Sequence, residues 1–212
     1  MLAGMERYLW SAASICLRCC CCDANACDVK AILKASDKAI CRGIDLEPSQ
    51  VKRYNEEAKK LHGNEMDGKM VAIQGDLFSP TNEMAGAEWQ NFDLAVISMA
   101  LHHVQDPVEM LRLLRQRLQP GGILVVVEFL GKQDAAEKQR HYDPSEMVEV
   151  VGKQKIWPGF TTGKLEADLN TAGFEGFDLR MLEEPTQIPE SARGKNFDGE
   201  QWCFFAKAVV PA

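Results

Sequence analysis

Between Gly4 and Gly43 the chain has no glycine. That stretch therefore lacks the residue that takes positive φ freely and lets a backbone turn approach a ligand with no Cβ in the way. Long apolar runs are missing too: nothing in the sequence approaches the roughly 20 residues needed to cross a bilayer as a helix. The apolar stretch from Leu9 to Leu17 is short, and Arg18 and a cysteine run follow it, so no secretory signal is expected. Positive charge is in deficit, with 24 Lys and Arg against 31 Asp and Glu and a formal net charge of −7. The acids are spread along the chain, which leaves no basic footprint for nucleic acid. Tyrosine is scarce. Tyr8, Tyr54 and Tyr142 are followed four residues later by Ala12, Ala58 and Glu146, so no Tyr-x-x-x-Lys pair exists. Without that pair or an early glycine turn, a short-chain dehydrogenase is disfavoured.

Cysteine is present but unevenly placed. Seven of the eight lie between Cys16 and Cys41, and Cys203 stands alone. A chain of this size builds a core without disulfides, so an intracellular, cytoplasmic protein with reduced thiols is expected. Cys16-x-x-Cys19 and Cys19-x-x-Cys22 have zinc-like spacing, with Cys27 nearby. Overlapping pairs in a run of four satisfy that spacing automatically, and no second Cys or His pair follows. No metal site is expected. Palmitoylation of the run would need a membrane context that the sequence does not supply.

The 212 residues fit one domain with an atypical, Cys-rich beginning over 1–35 and a regular body over 36–212. In the body, strand-like and helix-like segments alternate, which predicts βαβ units and a mainly parallel sheet. Ala39 to Asp45 reads as a short strand ending in an acid. Pro48 sits near a helix start, and Val51, Tyr54, Ala58 and Leu61 recur at helical spacing before Gly63. Met70 to Gln74 reads as a strand ending at Gly75-Asp76, residues 79–91 as loop or irregular helix, and Phe92 to Ser98 as a strand buried on both faces. Asp106, Pro107 and Glu109 come close to a capping box. They open a helix whose Val108, Leu111, Leu114 and Leu118 face the core. Pro120-Gly121-Gly122 should end that helix and turn the chain into a buried strand, Ile123 to Phe129. Residues 131–160 read as polar and irregular. A helix from about Gly163 to Ala172 stops at Gly173, and Phe174 to Leu182 and Gln201 to Val209 are candidate final strands.

Open α/β sheets bind ligands beyond the carboxyl ends of their strands. Asp45 sits at such an end, where one carboxylate can accept hydrogen bonds from both hydroxyls of a ribose. The plainer account is an acid favoured by the dipole of the helix that follows. His102 and His103 follow another strand. Either could act as a general base, or could pack within its loop.

Gly43-Ile44-Asp45, Gly75-Asp76-Leu77, Phe92-Asp93 through Leu101-His102-His103, and Leu118-Gln119-Pro120-Gly121-Gly122 follow one another in an order that resembles class I S-adenosylmethionine (SAM)-dependent methyltransferases. The branch resembled holds the ubiquinone/menaquinone-biosynthesis-type and small-molecule enzymes. The resemblance covers about four-fifths of the chain. It implies a Rossmann-like α/β fold with a mainly parallel sheet, a closing antiparallel strand and SAM as cofactor. Asp45 and Leu46 would lie against the ribose. Asp76 would accept from the adenine amino group, with Leu77 and Phe78 flanking the ring. Ser98, Met99 and Leu101 would line the methionine end. Trp157, Phe160 and Tyr142 fall in the segment that often covers the acceptor pocket, as a lid or as core. The family's first motif, an acid and a glycine-rich turn about twenty residues before the ribose-binding acid, has no glycine here. Asp23 or Asp28 could supply its acid. Three accounts of the gap stand: SAM bound through a different turn, a scaffold kept without activity, or a misread splice boundary upstream of residue 35. The expected function is SAM-dependent methylation of a small organic acceptor, with no nucleic-acid partner and no stable membrane insertion. The alternative is a catalytically inactive methyltransferase-like binding or interaction protein.

Overall fold

In a computed structural model, residues 13–18, 39–62, 70–131, 147–149, 155–157, 159–187 and 200–212 are described. A seven-stranded sheet has the order β3-β2-β1-β4-β5-β11-β8. Its strands are β1 (Ala13–Arg18), β2 (Ile40–Asp45), β3 (Met70–Gln74), β4 (Phe92–Ser98), β5 (Leu118–Phe129), β8 (Glu175–Met181) and β11 (Cys203–Val209). β1 to β5 are mutually parallel, and β11 runs antiparallel between β5 and β8. Two-residue pairs β6 (Val148–Glu149) with β7 (Lys155–Ile156), and β9 (Thr186–Gln187) with β10 (Glu200–Gln201), complete the strands among the described residues. The closing antiparallel strand expected from sequence is β11.

The helices α1 (Pro48–His62), α2 (Pro107–Arg117) and α3 (Thr162–Thr171) have sequence-encoded starts. In α1, Pro48 takes the first position, where its missing N–H costs little. Tyr54 and Ala58 are buried beneath the helix, and Val51 is half-buried. Asn55 of α1 reaches the edge strand β3, donating to Ala72 O and accepting from Ala72 N–H, both at 2.9 Å. One side chain thereby satisfies an exposed ladder position that would otherwise invite pairing. Asp106 caps α2 by accepting from Glu109 N–H at 3.0 Å. Thr161 does the same for α3 through Lys164 N–H at 3.3 Å. A Lys164–Asp168 ion pair at 2.8 Å, mostly shielded from water, spans a turn of α3.

Two apolar layers flank the sheet. One packs Ile97, Leu111, Leu114, Leu124, Leu165 and Phe204 between the sheet and α2 and α3. The other packs Cys41, Tyr54, Ala58, Met70, Leu94 and Val96 beneath α1. No helix among the described residues is long and apolar enough to cross a membrane.

Several sequence expectations need revision. The atypical segment 1–35 contributes β1, an interior strand of the sheet that pairs with both β2 and β4. Pairing between β4 and β5 begins at Phe92↔Leu118, before Pro120-Gly121-Gly122, and resumes at Leu94↔Ile123. Five residue steps on β5 thus oppose two on β4. The Pro-Gly-Gly segment is an excursion within the strand, with Gly121 at φ +76°, rather than a turn ahead of it. In α2 the core positions are Pro107, Met110, Leu111 and Leu114, while Val108 is only half-buried. Tyr142, the side chain of Leu61, Gly63, and the turn after β1 lie outside the described residues.

Candidate functional site

Because β1 to β5 are parallel, their carboxyl ends share one edge. The chain winds outward from β1 through β2 to β3, then returns to β4 on the other side of β1. That reversal of strand order falls at the β1/β4 boundary, the place where such sheets bind ligands. Register places Asp45 beside Gln74 across β2 and β3, and Arg18 beside Ser98 across β1 and β4.

Asp45 is mostly buried, and its Oδ1 accepts from Glu47 N–H at 2.8 Å. Asp76 follows the end of β3, and its Oδ1 accepts from Phe78 N–H at 2.9 Å. Both acids therefore close the same two-residue side-chain turn, which fixes the loop leaving each strand. Beside them the apolar side chains divide. Leu46 and Phe78 are 64% and 44% exposed, whereas Leu77 is in the core. Two carboxylates with two exposed apolar groups at the carboxyl edge suit a ribose and an aromatic base. The residues present in this part of the edge thus fit a nucleoside-bearing cofactor. Leu77 supports the loop from behind.

After β4 the backbone changes hand at Met99, with φ +51°. A non-glycine residue there costs of order 1–3 kcal/mol, and such strain is concentrated at functional sites. Its N–H donates to Val127 O at 2.9 Å. Ser98 is half-buried, and Leu101 is fully buried at the start of a 3-10 turn, Leu101–His103.

The two histidines part company in that turn. His102 is 2% exposed, and its Nδ1 lies 2.7 Å from Glu128 Oε2 on β5. His103 is half-buried, and its Nε2 is buried with no hydrogen-bond partner. Glu128 was given no role from sequence. The available signal was a lone acid near the end of the apolar run Ile123–Val127. Trp157 and Phe160 are buried, which makes them core rather than a lid. Trp157 N–H donates to His102 O at 2.8 Å, and its indole Nε1 donates to Val104 O at 2.7 Å. Chain downstream of residue 131 is thereby tied to the histidine loop. At its end, Gly131 and Gly159 pack backbone to backbone, and Gly159 holds φ +128°.

Among the described residues no group of three or more His, Cys, Asp or Glu is placed to hold a metal ion. Of the cysteine run from Cys16 to Cys27, no side chain lies among the described residues. Cys203 is buried beside Thr186 Oγ1, 3.4 Å away. Burial first, and the nearby Glu128 charge after it, push its thiol up, while the Thr186 contact opposes them.

A family model described as a methyltransferase domain matches residues 24–124. An uncharacterised methyltransferase of Schizosaccharomyces pombe is 32% identical over 102 residues, 48% of this chain. The chain spans 35% of that relative's length. The structure of YcgJ from Bacillus subtilis superposes with TM-score 0.65 at 13% identity, covering 100% of this chain and 98% of that one. A SAM-dependent methyltransferase from Methanosarcina mazei superposes with TM-score 0.61 at 18% identity, with 100% and 98% covered. The fold is the Rossmann-like fold of class I methyltransferases. Residues 24–124 resemble a methyltransferase domain, and the whole chain shares the fold of such enzymes.

Proposed function

We propose that this protein methylates a small organic acceptor with SAM, in the cytoplasm. The observation that carries the reading is the shared carboxyl edge, which gathers Asp45, Asp76, the left-handed Met99 loop and His103. SAM supplies an activated methyl group on a sulfonium. Asp45 would hold the ribose hydroxyls, with Leu46 beside it, and Asp76 would accept from the adenine amino group, with Leu77 bracing its loop and Phe78 over the ring. Ser98, Met99 and Leu101 would form the loop at the methionine end. His103 is better placed than His102 to accept a proton from the acceptor, because it is half-buried whereas His102 is only 2% exposed. With SAM bound, its sulfonium methyl would be the group transferred, and His103 would take the proton that the acceptor hydroxyl loses. Positioning of this kind can supply a large share of a rate enhancement. The net charge of −7 favours a small acceptor over nucleic acid.

The test is S-adenosylhomocysteine release from SAM, assayed across a panel of small phenols, quinols, carboxylic acids and amines, with a protein and a duplex as comparators. Release that depends on a small acceptor supports the reading. Release with the protein or the duplex alone overturns the acceptor class. The second reading, an inactive binding or interaction module, is favoured by the glycine-free stretch after β1. It predicts a folded protein that neither binds S-adenosylhomocysteine nor turns SAM over.

A further inference from the structure

A fully buried carboxylate needs donors, because an unpaired charge inside a core is strongly disfavoured. Glu128 is 0% exposed and has three. Its Oε1 accepts from His102 N–H at 3.2 Å, and its Oε2 accepts from Phe129 N–H at 3.2 Å. The third contact, Oε2 to His102 Nδ1, is the shortest at 2.7 Å. Two of the three go to one residue, gripping it by main chain and ring together. A carboxylate only accepts, so a neutral His102 that donates to it carries its proton on Nδ1 and leaves Nε2 bare. The His102 ring packs on that of His103, with centroids 4.2 Å apart, and on Phe129 at 5.4 Å. His103 Nε2 is the buried nitrogen with no hydrogen-bond partner. A purely apolar core would fill this position with a hydrocarbon. A carboxylate here instead determines where one histidine sits and which tautomer it adopts, and that histidine shapes the seat of the next.

We infer that Glu128 is a positioning residue for methyl transfer, acting through His102 to set the ring of His103 toward the acceptor. The inference rests on the reading of His103 as the proton acceptor, and two separate measurements distinguish their failures. Nitrogen-15 NMR of the full chain reports the histidine tautomers directly. His102 is expected as the Nδ1–H form in the wild type. In Glu128→Gln, whose amide can also donate to a bare Nδ1, that single form should give way to a mixture, with the His103 ring resonances displaced as well. Glu128→Asp keeps the charge and should restore the wild-type tautomer in part. With an acceptor from the panel above, Glu128→Gln should lower kcat by roughly tenfold or more while KM stays within about threefold, and Glu128→Asp should recover part of the loss. An Nε2–H tautomer in the wild type, or His103 resonances untouched by Glu128→Gln, overturns the inference and leaves His103 as the base. A full rate in His103→Ala overturns the base reading, whatever the spectra show.

Discussion

In the proposed reading Asp45 has two tasks, which Asp45→Asn separates. Its Oδ1 already closes the turn to Glu47 N–H at 2.8 Å, and asparagine keeps that oxygen. The other oxygen becomes an NH2 group, which cannot accept. A ribose held by both carboxylate oxygens would then lose one charge-assisted bond, about 1.5–3 kcal/mol. That is a roughly 10- to 150-fold weaker dissociation constant. Asp45→Ala removes the turn contact as well and should abolish measurable binding. The assay is calorimetric titration with S-adenosylhomocysteine, with thermal melts of each variant to show that the fold persists. If Asp45 only shapes the helix entry, Asp45→Asn leaves affinity unchanged. A folded Asp45→Asn variant that binds within about twofold of wild type would refute the ribose assignment.

Leu111 and Leu114 are fully buried where α2 meets the sheet, so Leu111→Ala should cost about 2–5 kcal/mol in a denaturant titration; a loss under 1 kcal/mol would contradict the packing. At Gly159 a Cβ would stand 2.7 Å from Gly131 N in a backbone that L residues rarely adopt. Gly159→Ala should therefore lower the melting midpoint by the equivalent of about 1–3 kcal/mol, and an unchanged midpoint would mean that the two glycines are not in contact. The raised Cys203 thiol carries less thiolate than an ordinary cysteine at mildly alkaline pH. Its alkylation, followed by peptide mass mapping, should be slow in the native protein and rapid after unfolding. Because the folded form holds that proton longer, this group's contribution to stability is intact below about pH 8.5 and is lost as pH rises above it. Asp106→Ala should cost about 0.5–2 kcal/mol through the lost cap on α2, read from the same denaturant titration.

β3 and β4 were legible because each is a short, mostly apolar run stopped by a glycine or a serine, and β2 because it ends in an acid just before a well-marked helix. Asp106-Pro107 announced α2 for the same local reason. β1 was not legible. Ala13–Arg18 includes Ser14, Cys16 and Arg18 and carries weak strand propensity, so its state is set by pairing on both sides, with β2 and with β4. Tertiary context routinely overrides local preference in this way. The candidate site was legible in part: the strand pattern put Asp45 at a strand end, and the family resemblance pointed to Asp76. The different settings of His102 and His103 could not be read, because the partner of His102 is Glu128, 26 residues further along the chain, and no local pattern links a buried acid to its donor.

The central claim is that this edge holds the SAM skeleton despite the absence of glycine between Gly4 and Gly43. Calorimetric titration of the 212-residue chain with S-adenosylhomocysteine tests it most directly. The account predicts one site per chain with a dissociation constant of about micromolar order, lost in Asp45→Ala. A chain that melts cooperatively, and so is folded, yet takes up no S-adenosylhomocysteine at millimolar concentration would contradict it.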